Sequence, residues 1–260
     1  MSEKALKIAV SGKGGVGKTT ISSLLFRHLA AKGRRVLAID ADPVASLGGA
    51  LAFPNHEAIE PITNMKDLIF ERTGAQPGTM GGFFKMNPRV DDIPEQVAAV
   101  HGNIHLMVMG TVDHGGSGCV CPESILLKNL IQHLLLYQND ALVLDMEAGV
   151  EHLGRATARA VDLMLVVVEP GARSIQAAKM VRNLAKDIGL TQVVVVANKV
   201  RSPEDEDLIR TALGDLELIG AVPYAQEFVA ADLAGQLVYE SGEFPDYVLA
   251  VMKAIESRAV

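Results

Sequence analysis

The sequence predicts a doubly wound α/β fold, a mostly parallel sheet covered by helices on both faces. Three observations carry that expectation. Gly12 to Thr19 spells G-x-x-x-x-G-K-[ST] between a short apolar run, Leu6 to Val10, and a stretch of helical apolar spacing, Ile21 to Ala31. Leu163 to Val168 and Gln192 to Val196 are near-continuous β-branched and leucine runs, as strands buried on both faces require, and amphipathic Ser174 to Ile188 reads as the crossover helix between them, capped by Gly189. The composition, 49% apolar and 21% charged, suits such a sheet. At 260 residues the chain is read as a single domain, 1–260, with ample material for a core.

The loop at 12–19 comes first. Gly12, Gly14, Gly15 and Gly17 let successive backbone N–H groups turn inward around an anion, and the following helix adds the positive end of its dipole. Lys18 is placed to reach the β- and γ-phosphates of ATP, or the β-phosphate of ADP, and the Thr19 hydroxyl to ligate magnesium. Val16 and Thr20 complete the nucleotide-binding stretch. Lys13 is a second lysine near the loop's start, where the phosphates of its own nucleotide are hard to reach. Written K-G-G-V-G-K-T-T from Lys13 to Thr20, the loop resembles the deviant Walker A type of P-loop ATPase, which includes cell-division positioning proteins, plasmid-partition proteins and nitrogenase reductase. That resemblance implies a nucleotide-dependent, face-to-face homodimer in which Lys13 contacts the partner's nucleotide and joins Lys18 in catalysis.

Arg35 to Ile39 reads as the second strand, ending in Asp40-Ala41-Asp42-Pro43. Carboxylates at the C-terminal end of a strand beside the phosphate loop lie where an α/β sheet places its chemistry, and Pro43 turns Asp42 out of helical geometry. By resemblance, Asp42 is the first switch aspartate, positioning the attacking water and sharing magnesium, with Asp40 in support. Residues 44–121 are expected to be irregular, with a short helix over Met65 to Glu71, a loop over Gly74 to Gly82 and a strand over Ile104 to Met109.

That segment ends in Gly118-Cys119-Val120-Cys121-Pro122, which holds the chain's two cysteines. Pro122 favours an extended Cys121, which would turn both sulfurs to one side. It also suits the first position of a helix over Glu123 to Tyr137, whose N-terminal dipole end favours negative charge on a nearby sulfur. Two thiolates make half of a tetrahedral metal site, and a two-fold dimer would supply the other half. Cys119 and Cys121 are therefore candidate ligands for a metal at the dimer seam. His114 is a loop histidine with no role assigned.

Ala141 to Leu144 is a short strand ending in Asp145, which by resemblance is the second switch aspartate and holds magnesium through water. Asp145-Met146-Glu147-Ala148-Gly149-Val150-Glu151-His152-Leu153-Gly154-Arg155 places Glu147 where the wider superfamily has proline. Together with the C-x-C loop, Lys85-Met86-Asn87-Pro88 and Val108-Met109-Gly110, this variant resembles the CooC-type accessory ATPases across essentially the whole chain. The resemblance implies nickel as cargo and a nickel-containing carbon monoxide dehydrogenase as client. Thiolates hold zinc comparably well, so zinc stays open beside nickel. By the same resemblance Asn198, after the strand Gln192 to Val196, is expected to hydrogen-bond adenine, a role that suits an amide able to donate and accept at once. Ala221 to Tyr224 reads as a last strand end, which the resemblance places beside the base, and Pro245 to Arg258 as a closing helix.

The formal charge of −7 argues against nucleic acid as main partner. No apolar run is long enough to span a bilayer and no leader precedes the first strand, so a cytoplasmic protein away from membranes is expected. Two other functions share parts of this pattern. A positioning or partition ATPase would show a basic DNA-binding face or a cationic amphipathic tail. An iron–sulfur reductase would draw its two cysteines from well-separated positions.

Overall fold

A computed structural model describes residues 5–42, 44–75, 83–111, 121–137, 140–147, 149, 153, 158–239 and 243–260. β1 (Lys7–Ser11) leads through the glycine loop into α1 (Lys18–Ala31) and returns as β2 (Val36–Ala41). α2 (Leu47–Ala50), two 3₁₀ turns, α3 (Lys66–Thr73), α4 (Ile93–Val97), β3 (Ala99–His101) and β4 (Ile104–Val108) follow. Then come α5 (Pro122–Tyr137), β5 (Ala141–Met146), β6 (Leu163–Val168) and α6 (Ala172–Asp187). β7 (Val193–Val200), α7 (Pro203–Leu213), β8 (Glu217–Pro223), α8 (Gln226–Ala234) and α9 (Asp246–Ala259) complete the described elements.

The strands form one sheet in the order β3-β4-β2-β5-β1-β6-β7-β8. Every neighbouring pair is parallel except β3 with β4 at one edge. Alternation along β1 sends Ile8 and Val10 to one face and Ala9 to the other. On the first face they meet Leu24, Leu25 and Phe26 of α1 and Val251 and Met252 of α9. On the second, Leu126, Leu130 and Leu134 of α5 and Val181 of α6 cover the sheet. The chain leaves β1 towards β2 on one side and later reaches β6 on the other, so β1 flanks the point where strand order reverses. In open parallel sheets a ligand crevice lies at that point, outside the carboxyl ends of the strands.

The doubly wound, mostly parallel architecture is as the sequence predicts. Two details differ. The stretch after β2 is more regular than expected, because isolated buried anchors (Leu47, Ile62, Ile69 and Ile93) seat short elements without any readable period. Asn198 does not follow a strand but lies within β7, where one extra residue between the pairs Ala197↔Ala221 and Val200↔Pro223 makes a bulge. Of the expected features, Pro43, residues 76–82 of the loop over Gly74 to Gly82, His114, Cys119, Glu151 and His152 lie outside the described residues. No helix among the described residues is long and apolar enough to cross a membrane.

Candidate functional site: a phosphate loop and two buried carboxylates

The loop between β1 and α1 is shaped by its glycines. Gly12, Gly15 and Gly17 have φ of +150°, +81° and +90°, values that side-chain-bearing residues avoid. A Cβ on Gly12 would stand 2.4 Å from the Val167 carbonyl oxygen, and one on Gly17 only 2.2 Å from Asn198 Nδ2. Gly14 and Gly15 face open space instead. The loop is thus locked on its protein side and vacant on the other, as an anion cradle must be.

Two neighbours from β7 hold it so. The Asn198 amide donates to the Val16 carbonyl at 2.9 Å, and Lys199 donates to the Gly15 carbonyl while pairing with Glu169 at 3.3 Å. The β7 bulge, with Lys199 at φ +59°, aims both side chains at the loop. The Lys199 contact was not foreseen; its only sequence signal is adjacency to Asn198.

A cleft of about 440 Å³ opens over the loop. Gly14, Lys18, Thr19 and Asp42 are among its lining residues, as are Asn198, Tyr224 and Phe228. Lys18 is buried, with Nζ 3.8 Å from Asp42 Oδ2. Thr20 also lines the cleft; Gly12, Val16 and Lys13 do not, and Lys13 is half-buried.

Asp40 and Asp145 are register partners on adjacent strands, both fully buried. Asp40 spends its charge on the chain after β2. It accepts the N–H groups of Asp42 (3.3 Å), Ser46 (3.0 Å) and Leu47 (2.9 Å). Burial still raises its pKa above the ordinary carboxylate value, the three N–H groups opposing and the Asp42 charge adding to the rise. Asp42 accepts Val44 N–H at 3.0 Å, which leaves its second oxygen towards Lys18.

Asp145 has no such support: neither carboxylate oxygen has a hydrogen-bond partner, though both are buried. Burial pushes its pKa up to about 7, and the charge of Asp40 adds to the rise. Lys18 and the hydroxyls of Thr19 and Ser22 pull the other way, yet neither hydroxyl reaches it with ordinary hydrogen-bond geometry. Such an orphaned anion beside Thr19 and Lys18 fits a divalent cation with oxygen ligands. Next along the chain, Ser11 Oγ accepts Gly149 N–H at 3.1 Å, and its proton faces the carbonyls of Gly149 (3.0 Å) and Glu147 (3.2 Å). Glu147 and Gly149, beyond the end of β5, are thereby tied to the start of the loop.

Cys121, the one cysteine of the pair among the described residues, is half-buried at the head of α5. Its carbonyl accepts Ile125 N–H, and its Sγ lies 3.4 Å from Ser124 N and 3.0 Å from Ser124 Oγ. It therefore caps the helix that Pro122 opens. Among the described residues no cluster of three or more His, Cys, Asp or Glu is arranged to hold a metal.

Fold and site together define an ATPase of the P-loop type. The family described as the CobQ/CobB/MinD/ParA nucleotide binding domain matches residues 7–238. Over 256 residues the chain is 47% identical to the carbon monoxide dehydrogenase accessory protein CooC of Rhodospirillum rubrum, covering 97% of each chain. It is 48% identical over 234 residues to an uncharacterized ATP-binding protein of Methanocaldococcus jannaschii, covering 89% of this chain and 90% of that one. The septum site-determining protein MinD of Pyrococcus horikoshii, solved with Mg-ADP, aligns with a TM-score of 0.67 at 20% identity, over 96% of this chain and 94% of that one. That last likeness concerns the fold alone. The chain belongs to the CooC-type ATPases within this nucleotide-binding family.

Proposed function

We propose that this ATPase closes face to face around two nucleotides, grips nickel (or zinc) between the Cys119 and Cys121 pairs of two subunits, and assists nickel insertion into carbon monoxide dehydrogenase. The observation that carries the reading is the near-full-length identity to CooC, in a chain whose cysteines all fall in one C-x-C.

Each residue then has a task. The loop N–H groups and Lys18 hold the β- and γ-phosphates, while Lys13 reaches the nucleotide of the partner subunit. Asp42, kept near Lys18 by its own turn, orients the attacking water. Asn198 spends one N–H on Val16 and keeps a second N–H and its oxygen for adenine. Thr19, Asp42 and Asp145 would hold magnesium, which when bound screens the charge of the β- and γ-phosphates. Four thiolates from two chains would satisfy a tetrahedral ion that one chain cannot.

Metal traffic requires the open and closed dimers to differ in metal affinity, since a ligand shifts an equilibrium only by its differential binding. Nickel titration followed by thiolate-to-metal absorbance, with and without a non-hydrolysable ATP analogue, tests this. The reading expects the nickel affinity to change at least several-fold with the analogue, and binding to vanish in Cys119→Ser. An affinity indifferent to nucleotide would refute it.

A further inference from the structure

We infer that Ser46 is a positioning residue for the magnesium end of the site, orienting the Thr19 hydroxyl towards the cation. Its Oγ lies 3.1 Å from Thr19 Oγ1, joining the chain after β2 to the first turn of α1. Ser46 lines the nucleotide cleft together with Thr19 and Asp42. Its backbone does not drift, because the fully buried Asp40 accepts the N–H groups of both Ser46 and Leu47 through one oxygen.

The chemistry of two adjoining hydroxyls gives the contact a direction. Each carries one proton and two lone pairs. A hydroxyl that ligates a cation must turn a lone pair to it and donate its proton elsewhere. Ser46 Oγ is a hydrogen-bonded neighbour placed to take the Thr19 proton, which leaves the Ser46 proton free to point into the cleft. Such outer partners fix a ligand's orientation, and losing one commonly weakens metal binding. Asp40 thus acts on the cation at one remove, through Ser46. This gives a buried carboxylate that touches neither Lys18 nor Thr19 by hydrogen bond a part in the site.

The inference rests on the magnesium–nucleotide reading of the cleft, and one set of titrations separates the two. Binding of a fluorescent ADP is measured with magnesium and with EDTA, in the wild-type chain and in Ser46→Ala and Ser46→Thr. If magnesium does not tighten ADP binding in the wild-type chain, the reading of the cleft itself is wrong. Given that it does, Ser46→Ala should lose about five-fold or more of the magnesium-dependent affinity, bind ADP normally in EDTA, and be rescued by Ser46→Thr. An unchanged magnesium dependence in Ser46→Ala, or an equal loss with and without magnesium, would overturn the role. Ser46 is exposed, so the alanine variant is expected to fold, and an unchanged thermal midpoint confirms that it has.

Discussion

Asp145 is held against the preference of its surroundings. Its carboxyl is ordinarily half-protonated near pH 3.8, and burial moves that point to about 7. Between those values the folded chain keeps a proton that the unfolded chain has lost. The group therefore favours folding at low pH, and that contribution is lost as pH rises towards 7, by up to about 1.4 kcal/mol per pH unit. Without nucleotide or metal, Asp145→Asn should gain stability relative to the wild-type chain from pH 5 to 7.5, then hold a constant margin. Urea denaturation at several pH values measures this; a margin independent of pH would contradict it. On the proposed magnesium role, saturating Mg-ADP should reverse the order, because the cation would stabilise the charged carboxylate. A second expectation concerns Gly12. Gly12→Ala forces a Cβ against the Val167 carbonyl at a backbone angle that alanine avoids, and should cost on the order of 1–3 kcal/mol in the same assay. Both residues could be read from the sequence, one as a strand-end aspartate and the other as a loop glycine. The Thr19–Ser46 contact could not, because its partners lie on separate elements brought together only by the sheet.

At the scale of elements, α5 and α8 make opposite demands. Cys121 caps α5, so its sulfur has a structural duty separate from any metal. Cys121→Ser keeps a good cap and should leave unfolding nearly unchanged while abolishing nickel binding; Cys121→Ala should lose about 1 kcal/mol as well. If serine and alanine prove equally destabilising in urea, the capping role is wrong. α8 buries none of its residues, yet Phe228, Val229 and Asp232 line the cleft. With little packing to hold it, its amides should exchange hydrogen quickly in the nucleotide-free protein and slow when ADP is bound. Hydrogen-exchange mass spectrometry over 226–234 checks this, and exchange indifferent to ADP would contradict it. The sequence hides α8 for the same reason that it should open readily: with no buried stripe, it has no period to read. The bulge in β7 escaped too, since an extra residue leaves the apolar run intact and only redirects Asn198 and Lys199.

For the whole molecule, what could be read in advance was whatever repeats or lies contiguous. Buried parallel strands write themselves as valine and leucine runs, and the phosphate loop needs its glycines in one short stretch, so both fold and nucleotide end were legible. Two of the clamps that hold the site (Ser11 on Gly149 and Lys199 on Gly15) join residues far apart in the chain, and the third (Asp40 on Ser46 and Leu47) closes an irregular turn, so no periodic pattern encodes them. The central proposal lies one level higher still, in a seam that a single chain cannot show: nucleotide and metal are to be coupled because both sit between two subunits. Native mass spectrometry with nickel and a non-hydrolysable ATP analogue tests it most directly. The account predicts a dimer carrying one nickel ion per two chains, lost in Cys119→Ser. Nickel bound stoichiometrically to a single chain would contradict it.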